Sequence, residues 1–157
     1  MTEAVELERF FPHPPADVWR ALTDAELLGQ WLMPNDIVPV VGHSFTFTTK
    51  PMAEFDGVVH CTVLEVDVEH RLVFAWRSNS GLDTTVTWTL RAEANGTLLR
   101  LVHHGFDTAD PLQRIAFDAM GGGWRGHIAD RLAATLDRRF GVVLDAPPDG
   151  TGTLPTG

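Results

Sequence analysis

The sequence predicts an α+β domain in which a curved antiparallel sheet wraps around a long C-terminal helix. Three observations carry this. From residue 36 to 105, apolar and polar residues alternate in segments joined by short turns, the pattern of an antiparallel meander. Phe117, Met120, Trp124, Ile128, Leu132 and Leu136 then recur every three or four positions, the period of an amphipathic helix. Two short helical patterns precede the meander, so helices and strands segregate along the chain, as in two-layer α+β domains.

The order is β-α-α, a β meander, then α. Val5 to Phe10 alternates as a strand, and Pro12, Pro14 and Pro15 end it. Proline suits a first helical turn, so a helix runs from Pro15 through Leu22. Thr23 is placed to cap a second helix, with Glu26 completing a capping box. That helix runs to Trp31 and stops before Pro34. The predicted meander strands are Ser44–Thr48, Val58–Val68, Arg71–Trp76, Thr84–Leu90 and Thr97–His103. Asn95-Gly96 predicts a tight hairpin with positive φ at both residues. The long helix ends near Phe140-Gly141. Asp145 to Gly157 has no periodicity and is expected to be a mobile tail.

Composition narrows the function classes. A chain of 157 residues fits one domain. Twelve basic against 21 acidic residues leave a net charge of −9, and Lys50 is the sole lysine. Without a basic stripe, neither nucleic acid nor an anionic membrane surface is an expected partner. No run of about 18 apolar residues suggests a membrane span. Met1 to Phe10 lacks the apolar core of a signal peptide, so the expected address is cytoplasmic. Cys61 is the single cysteine, which excludes an internal disulfide and a cysteine zinc cluster. The expected partner is a small apolar molecule or another protein, and nothing in the pattern sets an oligomeric state.

The motifs of common chemistries are missing. There is no Gly-x-Ser-x-Gly elbow, and Gly121-Gly122-Gly123 is followed by no phosphate-binding lysine. His103 and His104 are adjacent, so on a strand they face opposite ways and cannot share a metal. No cofactor, metal ligand or catalytic residue is assigned. Strand parity instead singles out two histidines. His60 shares parity with Val58, Leu64, Val66 and Val68, and His103 with Leu99 and Leu101. Both are expected to point inward, as ligand anchors, as an acid/base pair, or as core histidines bonded to backbone. Phe45, Phe47, Phe74, Trp76 and Trp88 share the apolar parity of their strands, and Phe117, Met120 and Trp124 one helix face. Three consecutive glycines inside a helix cost about 1 kcal/mol each relative to alanine, so the triplet is expected to serve as a hinge, to leave space beside Trp124, or to let the helix pack its backbone tightly against a strand.

Four pieces also carry a family resemblance. They are Pro15 to Thr23, Gln30-Trp31-Leu32-Met33-Pro34, the hairpin segments Arg71–Trp76, Val86–Leu90 and Gly96–Leu101, and Gly123-Trp124 with Leu132 and Leu136 beyond. In this order, over residues 4 to 140, the chain resembles the START-like helix-grip superfamily (SRPBCC), which includes polyketide cyclases. Within it the chain resembles the bacterial AHSA-type branch, named after the activator of a heat-shock-chaperone ATPase. The resemblance implies a single helix-grip domain over residues 1–144, with a cavity between sheet and helix. The residues expected to line it for a small apolar or aromatic ligand are Phe47, His60, Phe74, Trp76, Trp88, His103, Met120 and Trp124. Two other functions follow from the same resemblance: a cyclase- or hydratase-like enzyme acting through an inward-facing His60 or His103, and a module that binds a chaperone or other partner.

Overall fold

The computed structural model describes residues 2–51 and 55–141. Strand β1 (Thr2–Phe11) leads into helices α1 (Pro15–Thr23) and α2 (Ala25–Trp31). The meander follows as β2 (Ser44–Thr48), β3 (Val58–Asp67), β4 (Arg71–Ser78), β5 (Asp83–Glu93) and β6 (Gly96–Asp107). A helical rod closes the domain: α3 (Pro111–Gly126), a π-helical stretch His127–Leu132, and α4 (Ala133–Phe140). The six strands form one antiparallel sheet in the order β1-β6-β5-β4-β3-β2. This is the predicted α+β architecture, an open antiparallel sheet against a long C-terminal helix. The expected tail from Asp145 lies outside the described residues.

The rod buries Trp124, Ile128, Leu132 and Leu136, each four positions after the last. In a regular α-helix such a row drifts by roughly 40° per step. The π-helical stretch lies within this row, and its wider i→i+5 turns keep the four side chains facing the sheet. The helix stays continuous, since Gly126, His127, Leu132 and Ala133 all keep right-handed helical angles.

Three local expectations are corrected. Thr23 does not cap α2; it remains in α1, where its hydroxyl donates to the Trp19 carbonyl. Asp24 is the cap, its carboxylate accepting from the Glu26 and Leu27 amides at 3.0 and 3.3 Å, and aspartate caps as well as threonine does. At the β5–β6 hairpin, Glu93 pairs with Gly96, so Ala94 and Asn95 form the loop and Asn95 alone of the predicted pair has positive φ, 68°. Gly96 is a strand residue. Glycine is required there because a Cβ would collide with the Phe11 carbonyl and the Phe10 ring.

The third correction is one of face. On β3 the buried residues are Val59, Cys61 and Val63, so His60 points outward and is exposed. A bulge between Val63 and Glu65 switches parity and returns Val66 to the core. The prediction took its parity from Leu64, Val66 and Val68, and a bulge reverses such an assignment for every residue before it. A second bulge, at Gly105 (φ 104°), works the other way. It lets His103 and Phe106, of opposite parity, both face inward. A Cβ at Gly105 would press on Thr84 Cα at 3.3 Å, so the position suits glycine twice over.

Gly96→Ala is expected to destabilise the domain by about 1–3 kcal/mol, the range for overpacking. Asn95→Gly, which relieves a left-handed backbone, is expected to stay within about 0.5 kcal/mol of the parent. Urea denaturation of the two variants checks both, and equal midpoints for Gly96→Ala and the parent would remove the close approach.

Candidate functional site

Six of the eight predicted lining residues meet in one buried aromatic layer between the sheet and the rod: Phe47, Phe74, Trp76, Trp88, His103 and Trp124. Phe47 lies 5.3 Å from Trp76 between ring centroids, Trp76 lies 5.7 Å from Trp124, and Trp124 lies 5.5 Å from Trp88. The interlayer space expected to be hollow is therefore occupied by rings in contact, mostly tilted or edge-on, the arrangement aromatic quadrupoles favour. Phe45, Trp31 and Phe106 extend the layer. Met120 is half-buried above it. His60 stands on the other face of the sheet and does not join it.

His103 is the polar centre of the layer, and its bonding assigns its tautomer. The Thr84 hydroxyl has one proton, which it donates to the Trp76 carbonyl at 2.8 Å. Thr84 Oγ1 must therefore accept from His103 Nε2–H, also at 2.8 Å. His103 Nδ1 is left as an acceptor, and the Trp124 indole N–H donates to it at 3.0 Å. The chain from helix to sheet is closed, and both imidazole nitrogens are committed. Burial lowers the His103 pKa to about 3, with the neighbouring His104 adding to the effect. A proton on Nδ1 would also face the Trp124 N–H, donor against donor. His103 is a core histidine bonded within the protein, and with His60 on the opposite face the two cannot act as an acid/base pair. Burial likewise pushes the Cys61 thiol up, away from thiolate chemistry.

Sequence reasoning missed Thr84. Its neighbours Thr85, Thr87 and Thr89 stand half-buried on the outer face of β5. Thr84 has the parity of Val86 and Trp88 and is buried with them; that parity was the available signal. The layer is also unequally covered. Around α4 the rod is tied down, with the buried His13 meeting Asp137 at 2.8 Å. Along α3 only Trp124 is buried. A solvent-open groove of about 470 Å³ runs between β1 and α3, with Val5, Glu6, Phe117, Gly121 and Arg125 among its walls.

The sheet, the rod and the layer between them define a START-like helix-grip domain. The chain belongs to the Activator of Hsp90 ATPase homolog 1-like protein family, whose model matches residues 12–137. Among solved structures it is similar to protein MLL2253 from Mesorhizobium loti, at 37% identity over 87% of this chain and 98% of that one, with a TM-score of 0.75. It is similar to protein BH1534 from Bacillus halodurans, at 29% identity over 87% and 99% of the two chains, with a TM-score of 0.72. It is also similar to DynU16, a protein of the dynemicin biosynthetic locus, at 25% identity over 85% of this chain but 47% of that one, with a TM-score of 0.70. No curated protein sequence matches the chain. Membership of the family is compatible with ligand binding, cyclase-like chemistry or partner binding, and selects none of them. Among the described residues no helix is long and apolar enough to cross a membrane, and none form a cluster suited to a metal ion.

Thr84→Val keeps the side-chain shape but strands the His103 N–H and removes the hydroxyl bond to the Trp76 carbonyl. It is expected to cost about 1–3 kcal/mol, measured by urea denaturation. The pH dependence follows from the His103 pKa. It is lowered on folding, so between pH 6.5 and about 3 the unfolded chain binds more protons than the folded one. The His103 contribution is complete above pH 6.5 and is lost as the pH falls toward 3. His103→Gln is expected to flatten this loss by up to about 1.4 kcal/mol per pH unit. Denaturation of parent and variant at matched pH values checks it, and parallel curves would count against the neutral, enclosed imidazole.

Proposed function

We propose that the protein binds a small apolar or aromatic molecule beneath α3, at the end of the aromatic layer marked by Trp76, His103, Phe106, Met120 and Trp124. The observation that carries this is the weak hold on α3. Its one buried side chain is Trp124, a groove opens along its seam with β1, and Phe117 and Met120 cover the layer only in part. A ring entering there would replace Phe117 and Met120 against Phe106 and Trp124, exchanging one apolar contact for another. The main cost is then displacement of α3 rather than desolvation.

The glycine triplet supports the same reading. A Cβ at Gly122 or Gly123 would meet nothing within 4 Å, so close packing does not require glycine at these positions. What the triplet contributes is low helix propensity, at the junction between the loosely held α3 and the tied-down remainder of the rod. This favours the hinge over the tight-packing alternative. The binding reading is also favoured over catalysis by a cyclase or hydratase. Such chemistry needs a free imidazole nitrogen at the layer, and both nitrogens of His103 are committed.

The neutral probe 1-aminonaphthalene, excited beyond the tryptophan band, tests this. Its emission is expected to rise saturably with the parent protein. Gly122→Ala is expected to stabilise the fold by up to about 1 kcal/mol and to bind the probe more weakly or more slowly. No saturable rise with the parent would overturn the proposal, and identical binding by parent and variant would remove the hinge from it.

A further inference from the structure

We infer that the outer face of the sheet carries a second site, for a small zwitterion held between Arg77 and Asp36. It is independent of the aromatic layer and of the function proposed for it. A concavity of about 270 Å³ opens there, lined by the polar side chains of Asp36, Ser44, Thr46, His60, Thr62 and Arg77. Its construction follows from strand register. Thr46 pairs with His60, His60 with Arg77, and Ser44 with Thr62. Alternate residues of a strand share a face and neighbouring strands lie about 4.8 Å apart, so these side chains form a continuous polar floor across β2, β3 and β4. The volume is just below the range of roughly 300–1,000 Å³ typical of drug-sized sites, which suits a molecule of amino-acid size.

The two ends carry opposite charges that do not meet. Arg77 Nη2 donates to Thr62 Oγ1 at 3.0 Å, which uses one of five guanidinium donors. Among the described residues no carboxylate comes within 4.0 Å of it. Asp36 is held on the β2 side, where Oδ1 accepts from the Thr46 amide at 2.8 Å and approaches the Thr46 hydroxyl at 3.5 Å. Oδ2 receives no hydrogen bond from the described residues. Arg77 and Asp36 also act on the Cys61 thiol beneath the floor in opposite senses, so both charges bear on the same stretch of β3.

A simple anion would gain Arg77 but face Asp36, and a simple cation would meet the reverse. A molecule with a carboxylate at one end and an ammonium at the other satisfies both. The carboxylate takes charge-assisted bonds from the guanidinium, the ammonium donates to Asp36 Oδ2, and the span between them lies over His60 and the hydroxyls. Since the site is open to water, millimolar affinity is expected.

Titration of the ¹⁵N-labelled full chain with 4-aminobutyrate tests the site, with butyrate and butylammonium as single-charge controls at equal ionic strength. The expected result is saturable shifts at the amides of Thr46, His60 and Thr62 and at Arg77 Nε, with either control at least tenfold weaker. Arg77→Gln and Asp36→Asn are each expected to lose at least tenfold. Asparagine still accepts from the Thr46 amide, and unmoved indole resonances of Trp76 and Trp124 verify the fold of both variants. Three results would overturn the inference: no saturable shift, butyrate as effective as 4-aminobutyrate, or parent-like binding by both variants.

Discussion

The hydrogen bond from the Trp124 indole to His103 Nδ1 ties the rod to the sheet, and much of the structure is arranged to make it possible. A buried imidazole with a free donor or acceptor costs about 1–3 kcal/mol, so the second nitrogen needs Thr84, and the Thr84 hydroxyl in turn needs the Trp76 carbonyl. Those partners come together because Trp76 pairs with Thr84 across β4 and β5, and because His103 lies one residue from the partner of Thr85 across β5 and β6. The register of three central strands is thus linked to the rotational setting of the helix. A slip of one residue would turn every side chain of a strand to the other face and would leave three buried polar groups without partners.

Below this tie and above it the rod behaves differently. From Ile128 onward its apolar row is buried, and α4 is pinned through Asp137 to the buried His13, whose carbonyl accepts from the buried Thr97 hydroxyl. Above it, Leu112 and Ile115 are exposed and Phe117 touches the layer only at Phe106 among the rings. The glycines and the π-helical stretch fall at or just beyond the boundary. Local stability in a folded protein follows the density of buried contacts, and within the rod α3 buries the fewest side chains for its length.

The fold was legible in the sequence because period two and period 3.6 leave plain marks over long segments, and both the meander and the rod are long. The aromatic layer was legible for the same reason: Phe47, Phe74, Trp76, Trp88, His103 and Trp124 lie on faces that apolar neighbours define. What could not be read depends on single-residue events. The β3 bulge reversed His60, and the Gly105 bulge brought Phe106 beside His103. Asp24 took the cap next to Thr23 because two good capping residues stand in sequence. Whether the layer was hollow or filled depended on ring volumes meeting in three dimensions, which periodicity does not encode.

The completed chain at His103 also limits what the inner face can recognise. With both nitrogens engaged, and the Thr84 O–H and the Trp124 indole N–H engaged with them, this polar centre of the layer holds no spare donor for a guest. Selection of a guest there would rest on shape and on apolar contact, where a missing methylene discriminates by only about 1–3 kcal/mol. The outer face is built the other way: Arg77 and Asp36 keep unused hydrogen-bonding capacity on opposite sides of a polar floor. Because strand residues alternate, the same β3 segment supplies Cys61 to the apolar side and His60 to the polar side. One sheet therefore separates an apolar face from a polar one by a single residue of register, and the bulge beyond Val63 ends the outer His60–Thr62 row while returning Val66 to the core.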